Sequence, residues 1–146
     1  MERVIIYTDG GARGNPGPAG SGAVLMDGEG KILKRAHKAL GVATNNVAEY
    51  HGVILGLETL LKMEGENNVR NIDIEIRMDS ELVVRQMTGV YKVKDANLKQ
   101  LFAEISELRR GHFPKIKFTH IPREKNKEAD KESNVAMDKS ESLLQK

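Results

Sequence analysis

Residues 4–19, VIIYTDGGARGNPGPA, decide how this chain folds. Val4, Ile5, Ile6 and Tyr7 lack alternation and are rich in β-branched types, so they read as a strand buried on both faces. Gly10, Gly11, Gly14 and the Asn15-Pro16-Gly17 trio then predict a reversal, because Gly admits positive φ and Pro fixes its own. Asp9 is thereby delivered to the end of an apolar strand, where a carboxylate is costly unless solvated, paired or metal-bound. That tension is the first functional clue.

Working outward, Gly22 to Met26 reads as a second strand, Asp27-Gly28-Glu29-Gly30 as a turn and Lys31 to Leu40 as a third strand. Val47, Tyr50, Ile54, Leu57 and Leu61 then recur at helical steps, predicting an amphipathic helix from about Thr44 to Met63. Thr44, Asn45 and Asn46 are its N-cap candidates. Gly52 and Gly56 inside it imply close packing on the sheet, since each costs about 1 kcal/mol against Ala. After a Gly65–Asn68 loop, Ile72, Ile74, Ile76 and Met78 alternate with Asp73, Glu75 and Arg77, a half-buried strand ending at Asp79. Ser80 to Met87 reads as a short helix closed by Gly89. Leu98, Leu101, Phe102, Ile105 and Leu108 mark a longer helix ending before Gly111. Ile116 to Ile121 is a last strand, and Asn126 to about Ser140 a final helix fraying over residues 141–146.

An antiparallel meander followed by right-handed crossovers predicts an α/β fold. The expectation is a five-stranded mixed sheet, strands 1-2-3 antiparallel and strands 1-4-5 parallel, with helices on both faces. No internal repeat or interdomain linker interrupts it, so residues 1–146 are expected to form a single domain.

The chain has 146 residues, a net charge of +2 and no cysteine, which excludes disulfides, thiolate metal sites and a Cys nucleophile. Two basic runs stand out: Lys31, Lys34, Arg35, His37 and Lys38, then Arg109, Arg110, Lys115, Lys117, Arg123, Lys125 and Lys127. Local basic patches suit a nucleic-acid partner, although a solvated face is their plainer reading. The N-terminus does not resemble a signal peptide, and no apolar segment approaches the roughly 20 residues of a membrane span. A soluble, cytoplasmic monomer without membrane contact is expected.

Sites in open α/β sheets gather outside the carboxyl ends of parallel strands. Asp9 and Asp79 both stand at such ends, and neighbouring strands lie about 4.8 Å apart. Glu49 falls early in the first long helix and Asp130 early in the last, where the helix dipole favours negative charge. Each acid alone reads most simply as a cap or surface group. Asp9 and Asp79 together, each ending an apolar strand, point to a site. Like charges brought together need a counter-charge, and oxygen donors without Cys favour Mg²⁺ or Mn²⁺ over Zn²⁺.

Four stretches taken in order, DGGARGNPGPAGSGAVL, TNNVAEYHGVILGLE, MDSELVVRQMTGVYKVK and PREKNKEAD, resemble the successive motifs of type 1 ribonuclease H. The resemblance runs from about Arg3 to Ala136 with spacing intact. In that family the Asp of DGG, the Glu of AEY, the Asp of DS and the Asp of NxxAD hold two Mg²⁺ ions. The matching positions are Asp9, Glu49, Asp79 and Asp130. The resemblance implies a ribonuclease H-like fold and an endoribonuclease that hydrolyses the RNA strand of an RNA–DNA hybrid duplex. It also implies a two-metal mechanism, 5′-phosphate and 3′-hydroxyl ends, and Mn²⁺ as a substitute for Mg²⁺.

A hybrid-specific nuclease senses the 2′-hydroxyl across a wide minor groove. Asn15 in GNPG and Asn45-Asn46 in TNN match positions the family uses there, and Thr44 resembles its contact to a DNA-strand phosphate. Turn formation or helix capping is the plain alternative for each. Gln86, Lys92 and Lys94 are expected to contact backbone, whereas Met87, Val90 and Tyr91 read as packing.

Three departures from the family pattern stand out. Several members carry a loop His before the last Asp; His120 has the right count but reads as structural or surface, with Arg123 or Glu124 as alternative occupants. The basic protrusion of some members is absent, so affinity is expected to rest on dispersed lysines and to be salt-sensitive. Glu132 stands where the family usually has Leu. The alternative functions are a non-catalytic hybrid-binding module and another metal-dependent nuclease on this fold. A phosphate-binding loop is disfavoured because the glycines lack GK[ST].

Overall fold

The computed structural model describes residues 1–145, and its sheet is built around β1 (Arg3–Ala12). β1 pairs antiparallel with β2 (Gly17–Asp27), which pairs antiparallel with β3 (Ile32–Ala43). After α1 (Asn45–Glu64) and a single-turn α2 (Glu66–Val69), β4 (Asp73–Met78) joins β1 in parallel. The helices α3 (Glu81–Met87) and α4 (Ala96–His112) lead to β5 (Ile116–His120), parallel to β4. A 3₁₀ turn at Arg123–Lys125 precedes α5 (Lys127–Leu144). The strand order is β3-β2-β1-β4-β5, the mixed five-stranded sheet that the sequence predicts.

Several boundaries differ, each for a physical reason. β1 does not stop at Asp9: Gly10 and Gly11 stay extended and pair with Ser21 and Gly20 of β2. Of the glycines in that stretch only Gly14 has positive φ, at 93°, so the reversal begins there. The expected loop at 65–68 holds α2, started by Gly65 at φ 82°. α4 passes through Gly111 and ends at His112, because its last turn packs through Phe113, which is 1% exposed. α5 continues past Ser140 to Leu144, with Ser140 Oγ donating to the Ala19 carbonyl at 2.6 Å; Lys146 lies outside the described residues.

The main core lies between the sheet and α1, α3 and α4. Val4 and Ile6 of β1 and Ile76 of β4 are fully buried against Tyr50, Val53 and Leu57 of α1. Burying each such side chain contributes roughly 1.5–3 kcal/mol. Close approach of α1 follows the expectation from its glycines: a Cβ on Gly52 would lie 2.9 Å from the Asp9 carbonyl oxygen, and one on Gly56 2.7 Å from Ile6 Cγ2. The other face of the sheet receives α5, which lies on β2, β3 and β1 through Ala129, Ser133 and Ala136.

Beside α5 that face also carries the largest departure in burial. Glu75, expected on the polar side of β4, is 6% exposed. Arg3 Nη2 and the Thr119 hydroxyl each donate to its carboxylate at 2.8 Å, and Arg77 adds a further ion pair. Burial works to raise its pKa, yet the hydrogen bonds from Arg77, Thr119 and Arg3 prevail and hold it at about 2. Arg77 also donates to the Tyr7 hydroxyl at 2.7 Å, so the polar groups cover one another. Among the described residues no helix is long and apolar enough to cross a membrane.

Candidate active site

The four motif acids converge because two strands and two helix starts end at one edge. Tyr7 pairs with Arg77, so two residues further on Asp9 comes opposite Asp79. Asp9 lies within β1 and Asp79 just beyond β4, which frees the second carboxylate from the ladder. Glu49 occupies the first turn and a half of α1, capped by Thr44, whose hydroxyl accepts from Val47 N at 3.2 Å. Asp130 lies in the first turn of α5, where its N–H donates to the Asn126 carbonyl at 3.0 Å. Asp9, Glu49 and Asp79 are partly buried, whereas Asp130 is exposed.

The electrostatics of the edge follow from this arrangement. Burial, followed by the charge of Asp79, pushes the Asp9 carboxyl up to about 7, with Glu49 and Asp130 adding to the rise. The Ser133 hydroxyl, 2.8 Å from Asp9 Oδ2, opposes it. Glu49 is also raised to about 7, chiefly by burial; the Ser80 hydroxyl pulls it down, Asp79 pushes it up, and Arg123 offsets part of the charge. The edge therefore concentrates negative charge in a partly dry setting.

The donor set fits a hard divalent cation. Glu49 Oε2 is buried without a hydrogen-bond partner, and so is Oδ1 of Asn126, whose amide nitrogen lies 3.5 Å from Asp79 Oδ2. Such groups are rare in folded proteins and mark places where a water or ion completes the structure. Among the described residues no three acids or histidines already stand at ligating spacing. Mg²⁺ asks for less, since it keeps several waters and is held by one or two carboxylates together with substrate phosphate. A cleft of about 440 Å³ lined by Arg3, Glu75, Lys115 and Lys117 contains none of the four acids. An open edge rather than an enclosed cavity suits a polymer backbone.

The residues expected to read substrate divide into two groups. Asn15 Oδ1 accepts from Asn45 N at 3.0 Å, and Asn45 Oδ1 accepts from Ala12 N at 2.8 Å. Both partners are backbone N–H groups, which commits the carbonyl branch of each amide and leaves its NH₂ branch as the donor. Asn45 and Glu49 are four residues apart on α1, so the amides and the acid share a helix face. Thr44 caps the same helix and Asn46 lies in its first turn. Gln86 is different: it is 6% exposed and its Oε1 accepts from the Tyr50 hydroxyl, which commits that end to the interior. Lys92 and Lys94 are exposed in the segment after α3. Val90 and Tyr91, read as packing, are instead 60% and 46% exposed, with the Arg85 guanidinium 5.5 Å from the centre of the Tyr91 ring.

His120 pairs with Met78 and lines a groove with Glu81, Val84, Arg85, Thr88 and Val90, turned toward α3. Arg123, in the 3₁₀ turn, is the cation that acts on Glu49. Glu124 lines a small cleft with Tyr7, Met26, Lys125, Lys127 and Glu128. Glu132 finds partners in place of apolar packing: its carboxylate lies 3.7 Å from Arg35 Nη1 and 3.5 Å from His37 Nδ1. With Arg35 and Glu128 2.7 Å apart, β3 grips the turns of α5 on either side of Asp130.

Sequence reasoning missed Ser133 and Asn126. Asn126 Nδ2 donates to the Thr8 carbonyl at 2.8 Å and lies 3.5 Å from Asp79 Oδ2, tying the start of α5 to both strand ends. The available signal was spacing, since Ser133 follows Asp130 by three residues and shares its helix face.

A family model described as "Reverse transcriptase-like" matches residues 7–136. The protein of Halobacterium salinarum named Ribonuclease HI is 41% identical over 136 residues, 93% of this chain and 65% of that protein. A bifunctional protein of Mycobacterium tuberculosis is 42% identical over 137 residues, 93% of this chain but 36% of that protein. The chain thus spans less than two thirds of the length of these curated relatives. LC11-RNase H1, solved in complex with RNA/DNA hybrid, superposes with a TM-score of 0.90 at 52% identity, covering 94% of this chain and 98% of that one. With half of its residues shared across nearly the whole of a solved ribonuclease H1, the chain belongs to the type 1 ribonuclease H family.

Proposed function

We propose that this protein is an endoribonuclease that hydrolyses the RNA strand of RNA–DNA hybrids with the help of two divalent cations, Mg²⁺ or Mn²⁺. One observation carries the reading: Asp9 and Glu49 are both raised to about 7, and a Glu49 oxygen is buried without a partner beside Asp79. That arrangement is unfavourable alone and suits a cation. Asp9, Glu49, Asp79 and Asp130 would hold the metal. Bound divalent cations supply the Lewis acidity and positive charge that phosphodiester hydrolysis needs.

The protein's own groups do the rest. Asn15 and Asn45 offer amide donors on the α1 side, matched to 2′-hydroxyls in a minor groove. Thr44 keeps its hydroxyl hydrogen free for a phosphate while its oxygen caps α1. Lys92 and Lys94 supply charge to a backbone without reading sequence. Attack of water on phosphorus breaks the bond to the 3′ oxygen and leaves 5′-phosphate and 3′-hydroxyl ends. The LC11-RNase H1 complex supports a hybrid as the bound duplex.

The test incubates the protein with end-labelled RNA–DNA hybrid, double-stranded RNA and double-stranded DNA, each with Mg²⁺, Mn²⁺ or EDTA. Cutting confined to the RNA of the hybrid and abolished by EDTA is expected. Binding of hybrid without cutting in either metal would instead identify a non-catalytic module.

A further inference from the structure

The Ser133 hydroxyl belongs to none of the motif acids or groove contacts, yet it touches the central acid. It is fully buried, and its Oγ lies 2.8 Å from Asp9 Oδ2, 124 residues away in sequence. The same hydroxyl lies 2.9 Å from the Asp130 carbonyl. A hydroxyl has one hydrogen, so the two acceptors compete for it. Asn134 Nδ2 already donates to that Asp130 carbonyl at 2.8 Å, and a carboxylate ionised to receive a cation is the stronger acceptor. The Ser133 hydrogen therefore goes to Asp9.

The sheet is shaped to allow this contact. Gly22 of β2 pairs with Asp9, and a Cβ there would lie 2.5 Å from Ser133 N. Only a residue without a side chain lets α5 come close enough for a short serine to reach across. Asn126 and the Arg35 grip on Glu128 and Glu132 hold the same turns of α5 independently.

We infer that Ser133 is a positioning residue for metal binding: it engages Asp9 Oδ2, so that Oδ1 is the oxygen presented to the cation, and it locks Asp9 to the helix that carries Asp130. The inference rests on the proposed metal-dependent reading of the site. Partners of this kind orient ligating side chains, and their loss typically weakens metal affinity by roughly 10- to 100-fold.

The test uses the full chain without substrate, titrating Mn²⁺ by calorimetry into wild type, Ser133→Ala and Ser133→Cys, with thermal melts of each in EDTA. Cysteine keeps the volume near that of serine while offering only a weak donor. Both variants should melt close to wild type in EDTA and bind Mn²⁺ at least about tenfold more weakly. Should alanine lose its cooperative melt, the cysteine variant carries the comparison. Mn²⁺ affinity within about threefold of wild type in a folded variant would overturn the positioning role. A wild type that binds Mn²⁺ but cuts no hybrid overturns the proposed function and leaves the Ser133 comparison standing. A wild type that binds no Mn²⁺ overturns both.

Discussion

Gly10 of β1 and Glu49 of α1 are in backbone contact: a Cβ on Gly10 would overlap the Ala48 carbonyl and the Glu49 amide nitrogen. The glycine after Asp9 therefore sets the distance between two of the four acids. Nothing flexible lies in the overlap, so α1 must move to admit a side chain.

Gly10→Ala is expected to destabilise the fold by about 1–3 kcal/mol, the usual range for overpacking. It should also reduce cleavage well beyond the loss of folded protein, because Glu49 moves with α1. Gly111 makes the contrast, since no atom lies within 4 Å of its added Cβ and it sits in the last turn of α4. Gly111→Ala should instead stabilise by up to about 1 kcal/mol. Thermal melts and single-turnover cleavage of both variants check the pair.

The raised acids make stability depend on pH. Asp9 titrates near 7 in the folded chain and near 3.8 when unfolded, so the folded form binds more proton between those values. Stability should therefore fall as pH rises through that window, and Glu49 acts with the same sign. Glu75 has the opposite sign, but its stabilisation is lost only below about 4.5, outside the range of interest. In EDTA, Asp9→Asn should gain melting temperature relative to wild type between pH 5.5 and pH 8, and in Mg²⁺ its cleavage of hybrid should be abolished. A difference between the two proteins that does not change with pH rejects this account.

His120 faces α3, whereas Arg123 acts on Glu49. Loss of a proton-transfer group costs about 10²–10⁴-fold in rate, so His120→Ala should cost far less, under about threefold. Arg123→Ala should lower the rate constant more than it lowers hybrid affinity. Single-turnover rates and EDTA-state binding of both variants separate the two residues.

Lys92 and Lys94 are exposed beyond α3, and a lysine on phosphate carries no base code. Replacing either by Ala should weaken hybrid binding uniformly across sequences. It should also reduce the slope of log affinity against log salt by about 1. Fluorescence anisotropy over a range of KCl concentrations measures both effects, and an unchanged slope removes that lysine from the interface.

Local chemistry in the sequence determined much of this protein. The apolar run before Asp9, the alternation before Asp79 and the helical spacing around Glu49 predicted the strands, the helices and the edge where the acids meet. What only the tertiary structure decided lies in contacts between residues far apart in the chain. Ser133 on Asp9, Asn126 on Thr8 and Arg35 on Glu128 span 124, 118 and 93 residues. Periodicity reports which face of an element is apolar, not which distant hydroxyl will meet it. The extension of β1 through Gly10 and the burial of Glu75 escaped for the same reason: a neighbouring strand or guanidinium overrode what the local residues prefer.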